Sequence, residues 1–171
     1  ALLHVVFHAF IKCGLFLAAG LMIHQTGKTK VDELRGIGKE MPVTVWCYTL
    51  ASLALVGIPP ASGFISKWYL AEGALASGIP VFSWLGPVIL LISALLTAGY
   101  LLPVTMKGFF PGSGYLCGRQ EEKRGLFFSV KKEASAWMLV PLMILAGLAL
   151  ALGLFPNPLA VYISDIVSEL L

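Results

Sequence analysis

The chain has 171 residues, 58% of them hydrophobic and only 12% charged, with a formal net charge of +3. Soluble domains are about one-quarter charged, so this composition excludes one, and long apolar runs without strand-like alternation exclude an outer-membrane barrel. What remains is an all-α integral membrane protein with the lipid bilayer as its first partner; no nucleic-acid partner is expected.

The chain opens, at Ala1-Leu-Leu-His4, already inside an apolar run and without an initiator Met or signal peptide, and it reads as the C-terminal part of something larger. Residues 1–24 form the first predicted span, since a crossing helix needs roughly 20 apolar residues. Gly14 and Ala18, one turn apart, would let a neighbouring helix come close. A polar, glycine-punctuated loop occupies 25–41.

Residues 42–77 are predicted to form one interrupted span, broken at 58–61. Pro59 and Pro60 lack the N–H that a helical ladder needs and clash with the preceding turn. Gly63 follows, and Ser62 is expected to cap a fresh helix with its hydroxyl. Two short spans, 42–58 and 61–77, are the competing reading, and charge placement separates them. Of the 12 lysines and arginines, four lie in loop 25–41 and six between Lys107 and Lys132. Basic loops should face the cytoplasm, and one crossing puts both on the same side.

A third span is predicted over 84–107, with Pro87 in its first turn and Pro103 bending or ending it. Residues 108–134 read as a second cytoplasmic loop carrying Gly112-Ser-Gly114 and the charged run Arg119–Arg124, a solvated surface without chemistry of its own. The fourth span, 135–155, is stopped by Phe155-Pro-Asn-Pro158. Residues 1–158 thus make a transmembrane domain, and 159–171 an amphipathic tail with Leu159, Ile163, Ile166, Val167 and Leu170 on one helical face. Docking of this tail on the bundle is the preferred reading, on the non-cytoplasmic side.

Chemistry concentrates in two places. His4, His8 and Lys12 recur every four residues, so they stack along one helix face. A lysine at the bilayer centre costs about 2.5–3.5 kcal/mol and normally faces an internal cavity. Snorkelling is a poor escape: the nearer edge lies about 15 Å away, beyond the ~6 Å reach of a lysine stem. Histidines alone would be packing or hydrogen-bonding residues; on the same face as Lys12 they become relay candidates. His24 ends the helix at the interface, beside the negative end of the helix dipole.

Lys67 is the second place, within the helix that opens near Ser62. Burial and that helix's positive N-terminus disfavour its ammonium form, whereas carbonyls freed at the end of the preceding helix can bond it. An amine poised between such influences can gain and lose a proton. Two such lysines ~10 Å apart would repel by about 1.7 kcal/mol at an effective dielectric of ~20, so each would sense the other. Glu72 either helps pass the proton outward or pairs at the interface.

Other chemistries find no support. The three histidines lie on one helix, which rules out a bis-histidine haem between two helices of this chain. His4-Val-Val-Phe-His8 has zinc-like spacing without the Glu or third ligand of HExxH. The three cysteines, Cys13, Cys47 and Cys117, form no CxxC pair, and an odd number closes no disulfide framework. No cofactor or metal is expected, and no redox or hydrolytic centre.

Three motifs stand at recognisable spacing: His4-x3-His8-Ala-Phe-x-Lys12-x2-Leu-Phe-Leu-x2-Gly20-x3-His24, then Asp32-Glu-Leu-x-Gly-x-Gly-Lys39-x-Met-Pro42, then Gly57-Ile-Pro-Pro-x-Ser-Gly-Phe-x-Ser-Lys67. Together they make the chain resemble the antiporter-like membrane subunits of complex I (NADH:quinone oxidoreductase subunits L, M and N), Mrp-type Na⁺/H⁺ antiporters and membrane-bound hydrogenases. The resemblance covers the first 70 residues. It implies the C-terminal part of an inverted-repeat helix bundle, about four spans with one discontinuous helix. It also implies proton or cation/proton translocation through Lys12, Lys67 and a relay of His8 and His4. Glu72, Ser66 and Ser62 would support the outlet, and Pro59, Pro60 and Gly63 would make the break. Implied partners are the other membrane subunits of a redox or antiporter complex and the missing N-terminal half of the fold, in a bacterial or archaeal membrane. Trp68, standing where subunit L usually has an acid, points to the M, N or Mrp D-like branch. A non-transporting structural subunit of the same type of complex is the alternative.

Overall fold

A computed structural model describes residues 2–110 and 133–170, and within them every regular element is helical. In chain order these are α1 (Leu2–Thr26), a 3₁₀ turn (Val31–Leu34), a one-turn α2 (Ile37–Glu40), α3 (Pro42–Val56), α4 (Ser62–Leu75), α5 (Pro80–Phe109), α6 (Ala136–Leu154) and α7 (Asn157–Leu170). Most of the expected loop 108–134, with Gly112–Gly114, Cys117 and Arg119–Arg124, lies outside the described residues, as do the side chains of Ile166, Val167 and Leu170.

Among the described residues three helices, α1, α5 and α6, are long and apolar enough to cross a membrane, while α3 is a shorter apolar helix. The core forms where α1, α3 and α6 meet, around Ile11, Leu15, Ala18, Val45, Ala51, Leu142 and Ala146. Gly14 marks the closest point: a Cβ there would sit 3.6 Å from Leu145 Cβ and 4.0 Å from Ala51 Cβ. Much of α5 and α6 remains outside this core, as expected of helices whose outer surface meets lipid rather than water.

The chain between Gly57 and Ala61 interrupts the helical path. Pro42 occupies the first turn of α3, where its fixed φ suits the helix. Gly57, at φ 92°, closes the other end, and the Gly57 and Ile58 N–H groups both donate to the Leu53 carbonyl, at 3.0 and 3.1 Å. Helix α4 then starts at Ser62 with Ala61 as its extended N-cap. The hydroxyl cap expected of Ser62 does not form. A capping oxygen must come from a residue whose backbone is still extended; that residue is Ala61, and Ser62 is already helical. The Ser62 Oγ is buried and without a hydrogen-bond partner among the described residues. The start of α4 is wedged between two helices. A Cβ on Gly63 would overlap the Ala54 carbonyl of α3, and one on Gly153 of α6 would overlap the Pro60 carbonyl.

Helix α5 runs antiparallel along both α4 and α3. Near its start a Cβ on Gly86 would come within 2.6 Å of Ala74 Cβ, and near its end Thr105 meets Thr49 at 3.5 Å and the Phe109 ring packs tilted against Trp46 at 5.2 Å between ring centroids. Its 30 residues make about 45 Å of helix, which one interrupted α3–α4 path matches end to end. It begins at Pro80 rather than at 84, because Gly78 (φ 69°) turns the chain and Pro80 serves as a helix-starting residue. Pro87 and Pro103 both lie inside it.

One end of the bundle gathers the polar elements. Asp32 accepts from Lys107 Nζ at 2.6 Å, and the Gly36 N–H donates to the Lys107 carbonyl at 3.0 Å. Thr44 donates through both its N–H and its Oγ1 to Glu133 Oε1, each at 3.0 Å. That carboxylate sits at the positive N-terminus of α3. The ammonium of Lys107 beside Asp32 holds its carboxyl below the usual aspartate range. Loop 25–41 and both chain flanks of 111–132 therefore share this end.

Candidate functional site

The interruption in α3–α4 creates the site. A helix end leaves its last carbonyls without intrahelical partners, and here Lys67 reaches back to take them. Its Nζ donates to the Leu55 carbonyl at 2.9 Å and to the Val56 carbonyl at 2.8 Å. The lysine is half-buried, and its ammonium lies at the negative end of the α3 dipole. Gly57 makes room for the stem, since a Cβ there would stand 3.1 Å from Lys67 Cδ.

One residue before Lys67, Ser66 links α4 to α1. Its Oγ lies 2.9 Å from His4 Nδ1 and donates to the Gly63 carbonyl at 3.1 Å. Ser66 is 1% exposed. The rings of His4 and His8 follow on α1, with centroids 5.5 Å apart and planes tilted by 37°. His8 stands one helical turn after His4 and one before Lys12 on the same face of α1. The structure thus brings Lys67, Ser66, His4, His8 and Lys12 into one sequence of neighbours.

Lys12 departs from the expectation that both amines are enclosed. It is exposed, on a face of α1 that also exposes Val5, Ala9, Cys13 and Phe16. The physical reason is that α1 spends its opposite face, Phe7, Ile11, Gly14 and Ala18, on α3 and α6, and among the described residues nothing covers the other. Glu72 is exposed on α4 and forms no salt bridge among the described residues. Ser62 lies one turn before Ser66 on the same helix face, buried. Neither the hydrogen bond between His4 and Ser66 nor the Glu133 contact at α3 is legible in the sequence. The spacing of Ser62, Ser66 and Lys67 signals a polar strip on α4 but not its partner.

Residues 1–110 match the family described as NADH:quinone oxidoreductase/Mrp antiporter, transmembrane. The chain belongs to this family. Among the relatives of this antiporter-like chain is NADH-quinone oxidoreductase subunit N of Desulforudis audaxviator, 39% identical over 158 residues, covering 91% of the chain and 30% of that protein. F(420)H(2) dehydrogenase subunit L of Methanosarcina mazei is 38% identical over 161 residues, 90% of the chain and 22% of that protein. A Na(+)/H(+) antiporter subunit of Bacillus subtilis is 31% identical over 173 residues, 94% of the chain and 20% of that protein. The antiporter-like chain therefore spans less than a third of the length of these relatives. It is an integral membrane protein of a cation- or proton-translocating family whose members are subunits of multisubunit complexes.

Proposed function

We propose that the chain forms the outlet half of a proton pathway within a larger antiporter-like subunit, with Lys67 as the group that takes up and releases the proton. The observation that carries this is the pairing of Lys67 with two backbone carbonyls. An ammonium has three N–H donors, and two of them are engaged by Leu55 and Val56. The third proton can leave, and the neutral amine still satisfies both carbonyls with its remaining N–H groups. A carboxylate partner would instead be stranded as a buried charge on deprotonation. His4 and His8 extend the pathway along α1 toward Lys12, whose open face is the place for the rest of the fold to dock and enclose it. Glu72 and Ser62 support the outlet side. The same carbonyl pairing speaks against the structural alternative, in which salt bridges would seal the lysines.

By analogy with the relatives, the working assembly is a quinone-reducing or related redox complex, or a cation antiporter, in a bacterial or archaeal membrane. In this reading α3 and α4 cross the bilayer once, and the polar end with loop 25–41 faces the cytoplasm. The test is proton flux by the full-length subunit in its complex, reconstituted in liposomes, with and without Lys67→Ala. Loss of flux at unchanged assembly is expected; unchanged flux would refute the assignment.

A further inference from the structure

We propose that Ser66 is a positioning residue that fixes which nitrogen of His4 takes part in proton exchange. The inference rests on the translocation reading for its consequence, but its geometry stands independently. A serine hydroxyl has one hydrogen and two lone pairs. The Gly63 carbonyl, 3.1 Å from the Ser66 Oγ, can only accept, and we assign that hydrogen to it, a back-bond of the kind serine commonly makes within a helix. The Oγ can then only accept from His4 Nδ1, 2.9 Å away. With the hydroxyl hydrogen on that carbonyl, His4 carries a hydrogen on Nδ1, and Nε2 is the position where a proton is added or withdrawn.

The consequence is a one-sided relay. When a proton arrives at Nε2, His4 becomes an imidazolium whose Nδ1–H stays bonded to Ser66, and the proton that leaves is again the one on Nε2. Ser66 neither gains nor loses a proton in this exchange. Its own hydrogen points to an amide carbonyl, which cannot serve as a proton acceptor near neutral pH, so proton traffic does not leak through Nδ1 into the start of α4. Burial secures the arrangement: Ser66 is 1% exposed, and Gly63, whose carbonyl it bonds, is held against Ala54 of α3.

Nitrogen-15 NMR of the histidine-labelled full-length subunit in lipid reads the tautomer directly, with the His4 resonance assigned by its disappearance in His4→Gln. The neutral ring should carry its hydrogen on Nδ1 in the parent protein. Ser66→Ala, which removes the acceptor with little change of volume, should shift it to Nε2. Proton flux through the intact complex should fall about tenfold in Ser66→Ala, and Ser66→Ala should cause no further fall once His4→Gln is present. An Nε2–H ring in the parent, or a tautomer that Ser66→Ala leaves unchanged, would overturn the proposal. So would an equal loss of flux from Ser66→Ala with and without His4. If His4→Gln leaves flux intact, the relay reading is what fails, and the spectra still decide the role of Ser66.

Discussion

Lysine and arginine differ at position 67 in the one property the site needs. An arginine could still donate to the Leu55 and Val56 carbonyls, which Lys67 holds at 2.9 and 2.8 Å, but its guanidinium does not give up a proton in proteins. Lys67→Arg should therefore leave the complex assembled while abolishing proton flux in reconstituted liposomes. Flux close to that of the parent would show that the charge, not its loss and return, is what the site uses. Gly57 makes a second residue-level demand. At φ 92° it occupies a region that costs an L-residue about 1–2 kcal/mol, and a Cβ there would press on the Lys67 stem. Gly57→Ala should destabilise the fold by about that amount in a thermal unfolding assay and lower flux with it. At the polar end, Lys107→Gln should return the Asp32 titration to the ordinary aspartate range, followed by NMR of that carboxyl. Because Asp32 titrates below its unfolded value, the contribution of this ion pair is present above the ordinary aspartate pKa. It is lost as the pH falls through the lower folded-state value.

At the scale of elements, the decisive contacts are backbone against backbone. Gly63 lets α4 begin in contact with the Ala54 carbonyl of α3, and Gly153 lets α6 lie against the Pro60 carbonyl. Gly63→Ala and Gly153→Ala should each force the helices apart, costing stability by overpacking of about 1–3 kcal/mol. Both should reduce the yield of assembled complex in detergent far more than Gly147→Ala, whose Cβ would meet nothing within 4 Å. The interruption itself is legible in the sequence because its cause is local: consecutive prolines after a glycine stop a helix wherever they stand. The carbonyl partners of Lys67 follow from the same local logic, as they are what a stopped helix leaves unpaired. Ser62 shows the limit. Its residue type suits a cap, but a shift of one position in the helix start gives that place to Ala61. The Glu133 contact joins residues 89 apart in the chain, and the bond between His4 and Ser66 joins residues 62 apart. No local spacing encodes such pairs. The start of α5 is ambiguous in the sequence because Pro80 and Pro87 both fit the opening of a helix, and it is the turn at Gly78 that gives the place to Pro80.

For the whole molecule, the direction of each helix decides what the lysines can do. If α3 and α4 cross the bilayer once, the interruption lies at depth, and Lys67 is reached only along a pathway; if they cross twice, the turn at 57–61 lies at a membrane surface and Lys67 can exchange protons with water directly. The packing of α5 favours the first arrangement, since one continuous helix lies beside α4 near Gly86 and beside α3 near Thr105 and Phe109. A helix of that length fits one bilayer crossing with some overhang or tilt. The two arrangements make opposite statements about the short connection around Ser77. With a single crossing it emerges on the face opposite loop 25–41, and with two crossings on the same face. The full-length subunit in its own membrane can be tested after native cysteines, Cys13, Cys47 and Cys117 among them, are replaced by alanine. Single cysteines at Lys30 and at Ser77, both exposed, are then challenged with a membrane-impermeant maleimide in right-side-out and inverted vesicles. Lys30→Cys should react only in inverted vesicles and Ser77→Cys only in right-side-out ones. Reaction of both in the same preparation would place the interruption at the surface. Lys67 would then be an interfacial lysine, and a buried proton pathway would lose its centre.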